Sequence, residues 1–183
     1  WHENVRLSNG REVLIRPIRP EDAVTLRAGF PLLQPEEVRQ RFLHPMKELS
    51  LEQAERLTRP NPRREFALVA AEPLPPGEAL VGAVARLAVD DDGENAEFAI
   101  LVSHYVAGMG LGRHLMRRLV RWAKGRKLRR IYGDVLDSNL PMQALAASLD
   151  FRREHGDAPG LVRMVLDLPP PKPRAPARLP PAA

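Results

Sequence analysis

The protein has 183 residues, of which 44% are hydrophobic and none is cysteine. This length is enough for one buried core and short for two, and the lack of cysteine excludes disulfides, thiol nucleophiles and thiolate metal sites. No apolar run approaches the ~18 residues of a membrane span and no charged-then-apolar leader is present, so we expect no membrane association and a cytoplasmic location.

The net charge is +5 at pH 7, which raises the question of nucleic-acid binding. Three of the positive charges, Lys172, Arg174 and Arg178, lie in the C-terminal tail, and aromatic residues make up only 5% of the chain. The other arginines are spread along predicted helices without interleaved aromatic residues, so the usual platform for stacking single-stranded bases is missing. We therefore expect no nucleic-acid partner.

The N-terminal third predicts a hairpin followed by short helices. Asn9 and Gly10 separate two apolar-rich segments and both tolerate positive φ, which predicts a type I′ turn. Proline, acidic and N-cap residues then predict three helices, from Arg19 to about Phe30, over 36–43, and from Ser50 to about Arg59.

The central and C-terminal parts predict a sheet. Strand patterns over 65–71, 79–89 and 94–102 are separated by short polar turns, an order that indicates an antiparallel meander. The three aspartates at 90–92 lack the spacing of a calcium loop and are interpreted as a solvated turn. Further along, the sequence predicts a helix from Leu111 to Gly125, a strand over 130–136, a helix over 140–149, and strands over 151–154 and 161–168.

These elements predict one α/β (α+β) domain over residues 1–168. From Pro169 onward, seven of 15 residues are proline. Such a composition cannot pack into a core, so we expect an extended, flexible tail over 169–183.

The segment from Val102 to Arg113 joins an apolar strand to a basic helix through Gly108, Gly110 and Gly112. Glycine permits positive φ and leaves no Cβ between backbone N–H groups and a ligand, and the helix N-terminus adds partial positive charge. The loop therefore suits a pyrophosphate, although such glycines also serve tight strand-to-helix packing. Its position after several antiparallel strands argues against a Rossmann dinucleotide site.

Five segments in order resemble the GNAT domain of bacterial Pat-type protein lysine acetyltransferases, over about residues 4–168. The segments are Val13–Ala23, Arg41–Phe42, Ala96–Val102, Gly110–Met116 and Val135–Met142. Gly110 and Gly112 match the small positions of the family's [Gln/Arg]-x-x-Gly-x-[Gly/Ala] motif, whereas Ala107 departs from it at the Gln/Arg position. The resemblance implies the GNAT fold, a central, mostly antiparallel mixed sheet with helices on both sides, splayed at the acyl-CoA site.

The resemblance also implies acetyl-CoA as co-substrate and no metal. The residues that it implies for acetyl-CoA binding are Leu101, Val102, Ala107, Gly108, Met109, Gly110, Leu111, Gly112, Arg113 and Asn139. Asn139 matches the asparagine that contacts the CoA arm in these enzymes. It is equally natural as the N-cap of the helix that begins at Leu140.

A lysine amine needs a general base before it can attack a thioester, because at its ordinary pKa only about one in 10³ is neutral at pH 7. Glu97 is an acid in an otherwise apolar strand, where poor solvation would raise its pKa into a useful range. The alternative is that it points into water beside the polar turn. Its match to the glutamate base of the similar lysine acetyltransferases implies the catalytic role, with strand-end N–H groups near Leu101–Ser103 polarising the thioester.

Several positions depart from the family pattern or leave alternatives open. Ala146 stands where many GNAT enzymes carry the tyrosine that protonates the leaving thiolate, so the role is left to Ser148, to water or to no group at all. Asp150 replaces the usual glycine before phenylalanine. His104 and His114 flank the glycine loop, and a surface or packing role is favoured over a phosphate contact.

The resemblance implies a protein substrate, a lysine of an acyl- or acetyl-CoA synthetase. We then expect an open groove near Glu97, formed partly by the helical stretch 20–59, because a folded protein cannot enter a closed pocket. Two alternatives remain. One is a small-amine N-acetyltransferase, and the other is a non-catalytic acyl-CoA-binding regulatory module, suggested by Ala107, the absent tyrosine and a first residue that is not methionine.

Overall fold

A computed structural model describes residues 1–170 and residue 175, so most of the predicted tail lies outside the described residues. The strands are β1 (Glu3–Arg6), β2 (Glu12–Pro17), β3 (Glu65–Ala71), β4 (Val81–Val89), β5 (Asn95–Val102), β6 (Arg130–Leu136), β7 (Arg152–His155) and β8 (Leu161–Asp167). The α-helices are α1 (Asp22–Gly29), α2 (Pro35–Phe42), α3 (Leu51–Thr58), α4 (Leu111–Gly125) and α5 (Leu140–Ser148), and a 3₁₀ turn spans Phe30–Leu32.

The strands form one sheet in the order β1-β2-β3-β4-β5-β6-β8-β7. Every neighbouring pair is antiparallel except β5 and β6, which are parallel and joined by the crossover helix α4. The predicted meander of β3, β4 and β5 and the mostly antiparallel mixed sheet are confirmed.

The parallel strands β5 and β6 separate soon after they begin. They are paired only at Asn95–Glu97, opposite Arg130–Tyr132. On their outer sides both strands continue: β5 pairs with β4 to Val102, and β6 pairs with β8 to Leu136. The sheet therefore opens in a V whose closed end is at Glu97.

Helices cover both faces of the sheet, as predicted. The buried stripe of α4 packs on alternate residues of the central strands, because its apolar residues recur at helical spacing. This stripe comprises Leu111, Leu115, Met116, Leu119 and Ala123. On the opposite face, Leu26 of α1 packs against a cluster that contains Ala67 and Val69 of β3, and Phe30, Val38 and Ala54 form the core among α1, α2 and α3.

The first hairpin has a different turn from the one predicted. Gly10 alone has positive φ, at +85°, and its N–H donates to the carbonyl of Leu7 at 2.9 Å. Asn9 instead accepts a bond from the N–H of Arg11 through its side-chain oxygen, at 3.0 Å. The connection is thus a three-residue loop that closes on a left-handed glycine, and the type I′ prediction was wrong because the Asn9 side chain satisfies the backbone without positive φ.

Element ends shift by small amounts for local reasons. Strand β4 begins at Val81 rather than at residue 79, since the N–H of Ala79 donates to the carbonyl of Pro75 in the preceding turn. Helix α5 ends at Ser148, and Asp150 then adopts φ +71°, the left-handed conformation that glycine takes easily. The departure from glycine at this position leaves the turn intact.

A buried ion pair ties β2 to α1. The guanidinium of Arg16 donates to both carboxylate oxygens of Asp22 at 2.8 Å, and the N–H of Arg19 donates to the same carboxylate at 2.7 Å. The exposed fractions of Arg16 and Asp22 are 6% and 0%. The bidentate hydrogen bonds and the backbone donor offset the free energy that these charges lose when they are removed from water.

Candidate active site

The gap between β5 and β6 opens into a cleft of about 460 Å³. Its wall on one side is the end of β5, and on the other it is α5, with Pro141, Met142 and Leu145. The glycine loop closes its far end. A long, narrow ligand with an anionic end would fit this shape, because the sides are largely apolar and the end is a helix N-terminus.

Nine of the ten residues implied for acetyl-CoA binding line this cleft. They are Leu101, Val102, Ala107, Gly108, Gly110, Leu111, Gly112, Arg113 and Asn139. Met109, the tenth, is partly buried against the hydrophobic core rather than lining the cleft, because the loop turns its apolar side chain inward. Glu37 and Gln40 of α2 also line the cleft and were not predicted, since nothing in the sequence indicates which helix lies across the sheet.

Gly108 and Gly110 give the loop its curvature. Their φ angles are +76° and +80°, and a Cβ placed on either would meet no heavy atom within 4 Å. Gly110 is the N-cap of α4, so the free N–H groups of the first turn face the open side of the loop. This geometry supports the predicted backbone cradle for phosphate groups.

Gly112 lines the cleft, and of the two roles that the sequence offered for these glycines it has the close-packing one. It lies inside α4 with ordinary helical φ, and a Cβ there would lie 2.9 Å from Cδ1 of Leu145 and 3.5 Å from Cγ2 of Val102. Glycine at this position therefore allows α4 to pack closely against α5 and the end of β5. Positive φ is required only at Gly108 and Gly110 within this glycine series.

Asn139 is buried, with an exposed fraction of 7%, and lines the cleft. Its side-chain oxygen accepts a hydrogen bond from the N–H of Met142 at 3.3 Å, so its predicted role as the N-cap of α5 is confirmed. The side-chain amide is a second polar group, which leaves contact with the CoA arm as a compatible prediction.

Both histidines that flank the glycine loop are paired with carboxylates. The imidazole of His104 contacts Glu37, which also accepts a bond from the backbone N–H of His104 at 3.1 Å. His114 contacts Glu3 at 3.1 Å. The first pair fastens the loop to α2 and the second fastens α4 to β1, consistent with the packing role that the sequence favoured.

Glu97 lies at the closed end of the V, on the face opposite α4 and α5. Its residue surface is exposed, yet partial desolvation of the carboxylate raises its pKa, and the negative charges of Asp134 and Asp90 raise it further. Arg163 opposes this shift. Glu97 is thus open to an incoming acceptor and more basic than an ordinary glutamate.

Four neighbours of Glu97 were not predicted: Asp90 comes from the turn before β5, and the other three come from β6 and β8. The hydroxyl of Tyr132 donates to both carboxylate oxygens of Asp90 at 2.9 Å. Arg163 binds Asp134 at 3.0 and 3.2 Å, and its guanidinium lies 4.8 Å from the centre of the Tyr132 ring. The alternation of polar and apolar residues along β6 predicts that Tyr132 and Asp134 share a face. Only the pairing register shows that this face lies beside Glu97.

The end of α5 carries no acid that would replace the missing tyrosine. Ala146 is fully buried. Ser148 lines the cleft, and its hydroxyl donates to the carbonyl of Leu145 at 2.6 Å. Water or Ser148 therefore remains the prediction for protonation of the leaving thiolate.

Over residues 1–170 and 175, no group of three or more histidine, aspartate and glutamate side chains is arranged to hold a metal ion. The aspartates at 90–92 form the β4–β5 turn, where Asp92 accepts bonds from the N–H groups of Glu94 and Asn95 at 2.8 and 3.0 Å. The helices of this part of the chain are also too short or too polar to cross a membrane.

Comparisons with known proteins agree with this fold. The family model of the acetyltransferase (GNAT) domain matches residues 12–152. An acetyltransferase of Pseudomonas aeruginosa is 31% identical over 151 residues, which cover 82% of this chain and 80% of that protein.

Solved structures show the same architecture. The GNAT domain of S. lividans PAT superposes with a TM-score of 0.81 at 24% identity and covers 92% of this chain and 97% of that one. A cAMP-binding acyltransferase from Mycobacterium smegmatis gives a TM-score of 0.62 at 22% identity, and the match spans 93% of this chain but 48% of the longer protein. With the family match over most of its length, the chain belongs to the GNAT acetyltransferases and is a GNAT-type N-acetyltransferase.

Proposed function

We propose that this enzyme transfers the acetyl group of acetyl-CoA to a lysine side chain of a protein, an acyl- or acetyl-CoA synthetase, with Glu97 as general base. The observation that carries the proposal is the position of Glu97. Its carboxylate lies where β5 and β6 separate, has a raised pKa and belongs to an exposed residue.

The cleft supplies the acetyl-CoA site in this proposal. The diphosphate would lie on the N–H groups around Gly110, with Arg113 beside it, and the pantetheine would run along the unpaired edge of β5. From Phe98 to Val102 this edge has no strand partner on the β6 side, so its backbone groups are available to a ligand. The thioester would then lie near the closed end of the V, beside Glu97.

The chemistry follows from the ordinary pKa of lysine. Glu97 accepts a proton from the substrate ammonium, and the neutral amine attacks the thioester carbonyl. The new C–N bond forms and the C–S bond breaks. The nitrogen loses its second proton and the CoA thiolate gains one, and water or Ser148 relays the proton between them. Strand-end N–H groups stabilise the developing oxyanion.

The charges around Glu97 suit a cationic acceptor. Asp90 and Asp134 lie close enough to raise the pKa of Glu97, and Tyr132 completes this acidic face. An exposed site can receive a lysine that projects from a folded surface. The fold similarity to the GNAT domain of S. lividans PAT supports the comparison with protein acetyltransferases. Small amines are the rival acceptors.

The experiment is mass spectrometry of a purified acetyl-CoA synthetase after incubation with the enzyme and acetyl-CoA, beside a panel of polyamines and amino acids. We expect acetylation of one synthetase lysine, lost with Glu97→Gln. Rapid turnover of a small amine with an unmodified synthetase would show that the acceptor class is wrong.

A further inference from the structure

Arg41, in the last turn of α2, is a half-buried cation to which the described residues supply no acceptor. Within residues 1–170 and 175, its guanidinium makes no side-chain hydrogen bond and no ion pair within 4.0 Å, and it lies 4.8 Å from the centre of the Phe42 ring. Burial lowers its pKa to about 10, and the nearby charge of Arg86 adds to this effect. The fold therefore holds a half-buried cation in place with no counter-charge within 4.0 Å among the described residues.

The contrast with Arg16 shows that this is unusual in the molecule. Arg16 is more deeply buried than Arg41, and Asp22 binds it in bidentate fashion at 2.8 Å. Arg86 is also held, by the carbonyl of Leu57 and by Glu65 at 3.6 Å. A half-buried guanidinium that has no acceptor within the fold is free to bind one that a ligand supplies.

The surroundings of Arg41 place it on the acceptor side of the sheet. It lines a small pocket of about 70 Å³ with Val84 of β4 and Leu101 of β5, and it is the only charged residue in that lining. Val84 and Leu101 are directly opposite each other in the β4–β5 register, and they share a face with Glu97. Arg41 is also close enough to Glu97 for the carboxylate to favour its charged form.

The site thus has two charges of opposite sign for one acceptor. The carboxylates around Glu97 attract an ammonium group, whereas Arg41 would repel it. An acceptor that carries an acidic side chain next to its lysine would bind to both: its ammonium group to the carboxylates around Glu97, and its acidic side chain to Arg41. A guanidinium presents a planar fork of donors that matches a carboxylate in two hydrogen bonds.

We propose that Arg41 is a specificity-determining residue that binds a carboxylate of the acceptor beside the reacting lysine. This inference rests on the proposed function, because it assigns the neighbour of the lysine that Glu97 deprotonates. Glu97 itself is not the natural partner of Arg41, since an ion pair between them would lower the basicity that catalysis requires.

The test uses matched nonapeptides with one central lysine and either glutamate or glutamine at each flanking position in turn. Wild-type enzyme should prefer glutamate at one position by about tenfold in kcat/KM, the effect expected from one charge-assisted hydrogen bond. The preference should disappear in Arg41→Met and return in part in Arg41→Lys. The control is Arg39→Met, because Arg39 is exposed on the same helix and should leave the preference unchanged.

Binding of the same peptides in the presence of CoA, measured by calorimetry, separates this inference from the proposed function. A glutamate preference in binding that Arg41→Met removes supports the inference even if no peptide is acetylated. Equal binding and turnover of both peptides by the wild-type enzyme would overturn it, as would an equal loss of kcat for both in Arg41→Lys. The peptide comparison on wild-type enzyme decides the matter even if Arg41→Met fails to fold.

Discussion

Glu97 lies directly opposite Tyr132 at the last paired position between β5 and β6. The hydroxyl of Tyr132 donates to Asp90, so Tyr132 connects the β4–β5 turn to the candidate base. Burial and the charge of Asp90 raise the pKa of Tyr132, which keeps this hydroxyl protonated and a donor. The side chains around Glu97 therefore come from three elements: the β4–β5 turn, β6 and β8.

Replacement of Glu97 by glutamine should lower turnover by about 10²-fold or more and leave CoA affinity unchanged, because it removes the base but not the cleft. The deficit should shrink as pH rises, since free amine becomes abundant. Steady-state kinetics across pH and calorimetry with CoA measure the two effects. Glu94→Gln is the matched control, as Glu94 is exposed and its ion pair with Arg129 spans 3.7 Å at the surface. Equal turnover of Glu97→Gln and wild type at pH 7 would assign the base elsewhere.

The raised pKa of Glu97 should be visible in the titration and the stability of the protein. Carboxyl ¹³C NMR, with the signal assigned through Glu97→Gln, should give a midpoint above that of an ordinary glutamate, and Asp90→Asn should lower it by removing a like charge. Between the unfolded and folded pKa values the native state binds more protons, so this group makes the protein less stable as pH rises.

It follows that Glu97→Gln should raise the Tm at pH 7 relative to wild type, and that this gain should fade as pH falls below the ordinary pKa of glutamate. Thermal unfolding at pH 7 and near pH 4 measures the difference. An ordinary titration midpoint that Asp90→Asn does not move would contradict the electrostatic description of this face.

Gly110→Glu should weaken binding of acetyl-CoA at least tenfold, because it places a negative charge in the phosphate cradle. Calorimetry of acetyl-CoA binding to the folded variant measures this. The control is Gly10→Glu: Gly10 has a similar φ of +85° and equally open surroundings, but it lies in the first hairpin, away from the cleft. Both variants carry the same backbone strain, so only Gly110→Glu should lose affinity. Unchanged affinity would remove the phosphate assignment.

Asp22→Asn should destabilise the fold by about 3–5 kcal/mol, because it leaves the Arg16 charge buried without a counter-charge. The Nε atom of Arg16 already lacks a partner, so the guanidinium has few other hydrogen bonds to offset its burial. Urea unfolding measures the free energy. Glu12→Gln breaks the exposed pair with Arg6 and should change it by no more than about 0.5 kcal/mol. Similar losses in both variants would show that burial does not set the strength of the Arg16–Asp22 pair.

Local sequence patterns were enough to predict the order and type of most elements and the position of the glycine loop. Periodicity fixes these features locally: Leu111, Leu115 and Leu119 recur at helical spacing, and the glycines at 108 and 110 take the positive φ that only glycine adopts without strain. The candidate base, Glu97, was also suggested by a local feature, an acid within an apolar strand, together with the family resemblance.

Other features depend on side-chain and long-range contacts, which local sequence patterns do not contain. The turn at Gly10 depended on a side-chain bond from Asn9, and the packing role of Gly112 depended on Leu145, which lies 33 residues away in the chain. The separation of β5 from β6 likewise exists only because each strand is paired on its outer side.

The same holds for the charges that set the properties of the site. Asp90, Tyr132 and Arg163 are far apart in the chain, and Arg41 belongs to α2, near the N-terminus. All four nevertheless lie around Glu97. Electrostatic interactions depend on distance and desolvation in space, which strand register and helix packing determine. The sequence determined which groups carry charge, and only the fold decided which of them act on one another.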